Sequence, residues 1–116
     1  MNIAKLVQPN RYYATVLLFA TSSPSPNYSP LYEEEIVLIE ALSEAEARVK
    51  AVEYAKEQEG TYSNERQEMI TNTFEKLVDI QLMQPDLEHG STLYARHFRD
   101  YSAYEAFEPL LAGKAL

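Results

Sequence analysis

The sequence has no cysteine, no tryptophan and only three glycines among its 116 residues. Without cysteine there are no disulfides, no thiolate nucleophiles and no cysteine-ligated zinc, and the chemistry fits a reducing compartment, so a cytoplasmic location is expected. Glycine is confined to Gly60, Gly90 and Gly113. That leaves little of the close-approach backbone that cradles phosphates, and no P-loop, G-x-G-x-x-G or G-x-S-x-G pattern occurs. Long apolar runs are missing as well: no stretch approaches the ~20 residues needed to cross a bilayer. Positive charge is the last scarcity, with 10 Lys and Arg against 18 Asp and Glu, a formal net charge of −8. The cations are scattered among acids, so phosphate backbones and anionic lipid would be repelled, and neither nucleic acid nor membrane is an expected partner.

What remains is an ordinary hydrophobic fraction of 46% in a length suited to one core. The expected organisation is a single domain over residues 1–116, with an N-terminal arm at 1–11, a core at 12–98 and a C-terminal helix and tail at 99–116. Lys5 and Arg11 ahead of the apolar run Tyr12 to Ala20 imitate a secretory leader. The run is rich in Tyr, Thr and Val, however, which suits a buried strand better. Both of its faces are largely apolar, so it reads as an interior strand.

Ser22 to Pro30 holds three prolines and reads as a loop joining an antiparallel pair. In the segment Leu31 to Ala41, Ile36-Val37-Leu38-Ile39 is apolar on both faces, the pattern of a central strand, with the acidic run Glu33-Glu34-Glu35 projecting at its start. Ser43 and Glu46 then form an S-x-x-E capping box. A helix to about Glu59 follows, with Ala47, Ala51, Tyr54 and Ala55 on one face and Gly60 as its left-handed terminator.

Tyr62-Ser63-Asn64 reads as a turn. Phe74 to Met83 alternates as a strand, and Thr92 to Phe98 is expected to return as its hairpin partner. Tyr101, Tyr104, Phe107 and Leu111 make a helix-spaced aromatic stripe behind Asp100 or Ser102, and Pro109 limits the helix. The expected fold class is therefore α+β: an antiparallel sheet of four to five strands in β-β-α-β-β order, one main helix on one face and a short C-terminal helix.

The patterns Tyr12-Tyr13-Ala14, Leu31 to Ala41, Ser43-Glu44-x-Glu46-Ala47, Tyr62-Ser63-Asn64 and Gly90 to Arg96 resemble the small bacterial family known as domain of unknown function 4288, frequent in cyanobacteria. The resemblance runs from about Tyr12 to Phe98. It implies the fold and a bacterial cytoplasmic setting, and it implies no mechanism.

Chemistry-bearing residues are few. His89 and His97 are the only imidazoles and lack ligand spacing, so no metal, cofactor or catalytic residue is assigned. Alternation puts Glu33 and Glu35 on one face, where paired carboxylates can bind a cation or act as gatekeepers of an exposed strand. Nine tyrosines supply apolar area with a polar tip. Tyr32, Glu33, Glu35, Tyr62, Asn64, Tyr94 and Arg96 are the candidate interaction surface.

One helix covers one sheet face, and two strands look apolar on both. The leading expectation is therefore a non-enzymatic interaction module acting as a homodimer, with the second face covered by another copy or by the chain's own tail. An acidic immunity- or inhibitor-type protein binding a basic partner, and a small-molecule or ion sensor, are the alternatives.

Overall fold

The computed structural model describes residues 11–108 and Gly113. Its elements are β1 (Arg11–Ser22), β2 (Tyr32–Ala41), α1 (Glu44–Glu57), β3 (Gly60–Ser63), β4 (Met69–Leu82) and α2 (Tyr101–Phe107). The four strands form one antiparallel sheet in the order β2-β1-β4-β3. The chain is α+β, as expected. The N-terminal arm and Leu111 lie outside the described residues, apart from Arg11, which opens β1.

β1 is the interior strand its sequence announces. It pairs with β2 from Arg11↔Ala41 to Ala20↔Tyr32 and with β4 from Tyr13↔Leu82 to Ser22↔Thr71. Tyr13, Thr15, Leu17 and Phe19 point toward α1 and are buried. Thr15 is the polar exception, and its Oγ1 donates to the Val37 carbonyl at 2.8 Å. The proline loop closes the β1–β2 pair. Thr21 N donates to the Leu31 carbonyl at 2.9 Å, Leu31 N donates to Thr21 Oγ1 at 3.0 Å, and the Tyr28 hydroxyl meets the Thr21 hydroxyl.

β2 departs from expectation: it is an edge strand, not a central one. Its two apolar faces have different causes. Val37 and Ile39 face α1, whereas Ile36 and Leu38 stand on the opposite side, 56% and 54% exposed. The double-sided apolar pattern thus marks an uncovered face rather than a flanked strand.

α1 starts where the cap predicts, with Ser43 Oγ accepting from Glu46 N at 3.1 Å. The reciprocal half of the box is diverted: Glu46 Oε1 pairs with Lys50 Nζ at 3.0 Å, and Lys50 also donates to the Glu40 carbonyl at 2.9 Å. Ala47, Ala51 and Ala55 are fully buried, and their lack of bulk lets α1 lie close across β2, β1 and β4. Gly60 does not terminate the helix in a left-handed conformation. The last turn tightens instead through Gln58 N to Ala55 O (3.1 Å) and Glu59 N to Lys56 O (3.2 Å), and Gly60 enters β3 opposite Asn72.

The second hairpin is also not the expected one. It joins β3 to β4 through Asn64–Glu68, where Asn64 Oδ1 accepts from the amides of Arg66 and Glu68 and Gln67 takes a positive φ of 62°. β4 therefore has β1 on one side and β3 on the other. β3 covers only Met69–Asn72 of the outer edge of β4, and Thr92–Phe98 does not pair with the rest of it and forms no strand.

Strict alternation along β4 fails too. Bulges at Glu75 and Val78 bring Phe74, Leu77 and Ile80, spaced by three, opposite Phe19, Leu17 and Thr15 on the α1 side. The Phe74 amide at the first bulge donates to Glu59 Oε2 at 3.0 Å, and the Phe19 and Phe74 rings lie 5.8 Å apart.

Ala51→Leu places three extra heavy atoms between α1 and β1 and is expected to cost about 1–3 kcal/mol of unfolding free energy. Val49→Ala, on the exposed side of the same helix, is expected to change it by less than about 0.5 kcal/mol. Urea denaturation followed by circular dichroism measures both.

Candidate interaction surfaces

The sheet has a covered face and a far face, and each carries part of the expected surface. On the covered side, beyond the C-terminal end of α1, a groove of about 520 Å³ is lined by Phe19, Thr21, Leu31, Tyr32, Glu33, Gln58, Gly60, Thr61, Tyr62 and Asn72. Three of the candidates, Tyr32, Glu33 and Tyr62, therefore meet there. Glu35 lies two residues along β2 on the Glu33 side, and its carboxyl is held above the ordinary 4.5 by a hydrogen bond to Glu33, by desolvation and by Glu33's charge. The carbonyl end of a helix adds negative potential. Tyrosine side chains, a carboxylate pair and a helix C-terminus together suit a cation with some apolar body.

Asn64 belongs to a neighbouring shallow cleft between the proline loop and the β3–β4 turn, with Tyr28, Arg66 and Glu68. Its side chain is committed to the turn: Nδ2 donates to Glu68 Oε1 at 3.0 Å while Oδ1 receives two amides. The Glu68 carboxyl is held below its ordinary value by hydrogen bonds from Asn64 and Ser25 and by the charge of Arg66.

Tyr94 lies on the far face. After β4 the chain crosses that face as an irregular strap, 83–95, whose last residues open the expected strand Thr92–Phe98. Met83 N extends the ladder to Tyr12 O at 2.8 Å. Further on, Gln81 Oε1 accepts from Ala95 N at 3.2 Å and Gln81 Nε2 donates to Ala95 O. The Tyr94 hydroxyl donates to Asp79 Oδ2 at 2.7 Å, and Asp79 Oδ2 also receives Gln81 Nε2 at 3.1 Å. These bonds hold the Asp79 carboxyl below its ordinary 3.8. Desolvation, then Asp79, raises the Tyr94 phenol. The Asp79 oxygens are thus engaged by Tyr94, Gln81 and Ile80 N.

The strap buries Ala14 and Val16 of β1 but stops short of β2. Between them an apolar cleft of about 200 Å³ is lined by Ala14, Ile36, Leu38, Met83, Leu87 and Leu93. This feature was missed as a site in the sequence, although the apolar Ile36 and Leu38 were its signal.

Arg96 starts an arm. Asp100 Oδ1 caps α2 by accepting from Ala103 N at 3.1 Å, and Phe98 stacks on Tyr104 at 4.7 Å. α2 has no buried residue and approaches neither α1 nor any strand. The expected short C-terminal helix is thus present but undocked, leaving Tyr101 and Phe107 exposed. Among the described residues no three of His, Asp and Glu gather as metal ligands, and no helix is long and apolar enough to cross a membrane.

These features define a small α+β domain with one helix-covered face, one strapped face and a projecting arm. The chain belongs to the family described as domain of unknown function (DUF4288), whose match spans residues 12–95 and ends at the residue that Gln81 clasps. No curated protein and no solved structure matches it.

Tyr94→Phe is expected to lower stability by about 1 kcal/mol near pH 7. A carboxyl whose folded pKa is depressed contributes stability above its unfolded value, lost as pH falls through the folded one. The difference between wild type and Tyr94→Phe should therefore narrow below pH 3.8 as Asp79 protonates, which urea titrations at several pH values will read.

Proposed function

We propose that the protein is a non-enzymatic interaction module whose principal partner is a second copy of itself. The observation that carries this reading is the pair Ile36 and Leu38: adjacent on one face of an edge strand, more than half exposed, and rimming a cleft with no polar side chain in its lining. Exposed apolar surface of this kind, beside an unpaired strand edge, marks association surfaces. An isologous dimer would cover it twice with one contact.

The expected measurement is a dimer by sedimentation velocity from low to high micromolar concentration. The double variant Ile36→Ser with Leu38→Ser should be a monomer of unchanged helical signal. A wild-type monomer throughout that range would end the proposal.

The groove beyond α1 supports a second reading, binding of a small organic cation, because Tyr32, Tyr62 and Glu33 line one open site beside the raised Glu35. A group whose folded pKa is raised carries its negative charge only above that value. Stabilisation of the protein by amines such as spermidine should accordingly be present at pH 7 and fade as pH falls toward 4.5. Thermal shift reads this, and Glu33→Gln should abolish it. No shift with any amine at pH 7 would exclude the reading.

A further inference from the structure

Self-association leaves open what fills the far-face cleft, and the chain itself carries a candidate. An apolar cavity of ~150 Å³ lined by aliphatic side chains is large enough to admit a benzene ring. The cleft of Ala14, Ile36, Leu38, Met83, Leu87 and Leu93 is about 200 Å³ and open at β2. With no polar side chain in its lining, a phenol or indole placed there would strand its hydroxyl or N–H at a cost, so the matching occupant is a phenyl group.

The described residues hold four phenylalanines. Phe19 and Phe74 are in the core, and Phe98 is stacked on Tyr104. Phe107 remains, 68% exposed at the end of α2. The helix that carries it contacts neither its own sheet nor α1.

Charge points the same way. Beyond the groove-lining Tyr32, the far side of β2 runs Glu34, Ile36, Leu38, Glu40, so acids flank the apolar pair. The arm places Arg96 and Arg99 ahead of an aromatic helix whose own acids, Asp100, Glu105 and Glu108, follow them. An arm laid across that strand brings cation to anion and ring to cleft together. The strap is already clasped at Ala95 by Gln81 and Tyr94 by Asp79, so the arm leaves the sheet at a fixed point and continues outward.

We propose that the cleft is the receptor for α2 of a second copy, with Phe107 of each chain seated between Ile36, Leu38 and Leu93 of the other. The dimer is then a reciprocal arm exchange, in which each chain gives one helix and receives one. This inference rests on the self-association proposed above but is separable from it.

Two full-length variants at exposed positions test it. Leu38→Asp spoils the cleft and leaves the arm intact; Phe107→Asp spoils the arm and leaves the cleft intact. Each alone is expected to dimerise at least about tenfold more weakly than wild type, because 1.4 kcal/mol is one decade and burying an aromatic ring exceeds that. Mixed in equal amounts, they are expected to form a heterodimer held by one sound arm in one sound cleft, detected by light scattering and by co-purification of a single-tagged variant. Circular dichroism checks that both are folded.

If Phe107→Asp dimerises like wild type while Leu38→Asp does not, the sheet faces meet directly and the exchange is overturned, though self-association stands. If both weaken but the mixture restores nothing, the exchange is likewise overturned. If wild type is monomeric, whether from an arm folded back in cis or from a solvated arm, self-association and exchange fall together.

Discussion

β1 is hydrogen-bonded along both edges and packed on both faces, and that double commitment constrains every other element. Its backbone donors and acceptors are consumed by β2 on one side and β4 on the other, both running antiparallel to it. The residues alternating toward α1 form the core with three alanines of the helix. The residues alternating away need a second cover, and the irregular strap after β4 supplies it. The strap shields β1 but leaves β2 half bare. The candidate self-association surface is in this sense the remainder of a covering problem.

The bulges in β4 answer a different demand. A flat strand with period two would present Phe74, Lys76 and Val78 to α1, placing a charge in the core. Inserting one extra residue at Glu75 and another at Val78 shifts the alternation twice, and Phe74, Leu77 and Ile80 arrive on the same side. Glu59, just past α1, accepts the Phe74 amide at the first of these irregularities. The helix therefore contributes to the sheet through its apolar face and, just past its end, through a carboxylate.

Local rules made β1, α1 with its Ser43 cap, the proline loop and the start of α2 legible in the sequence, because each depends on residues within a turn or a single strand. β3 was not legible: Gly60–Ser63 is exposed at every position, so no hydrophobic alternation marks it, and its last residue Ser63 with the following Asn64 looks like a turn. Thr92–Phe98 failed for the opposite reason. Its alternation is real, but alternation says which side chains share a face and not whether the segment pairs with another strand. Of the candidate residues, Tyr32, Glu33 and Tyr62 converge, with Glu35 adjoining, because the start of β2 and the whole of β3 lie at the same end of the sheet. Asn64, Tyr94 and Arg96 lie in a turn, a strap and an arm, a separation that only the long-range pairing decides.

Gln81 carries a consequence of another kind. Its carboxamide donates to and accepts from Ala95, as a peptide group of a neighbouring strand would, so one side chain stands in for a rung of sheet that the backbone does not form. A rung made by a side chain can be released without disturbing the backbone ladder beneath it. The strap is thereby a subglobal unit, able to open and exchange its amides with solvent while the four strands and α1 stay closed. Its opening would uncover Ala14 and Val16 and enlarge the apolar face at the place where the arm begins.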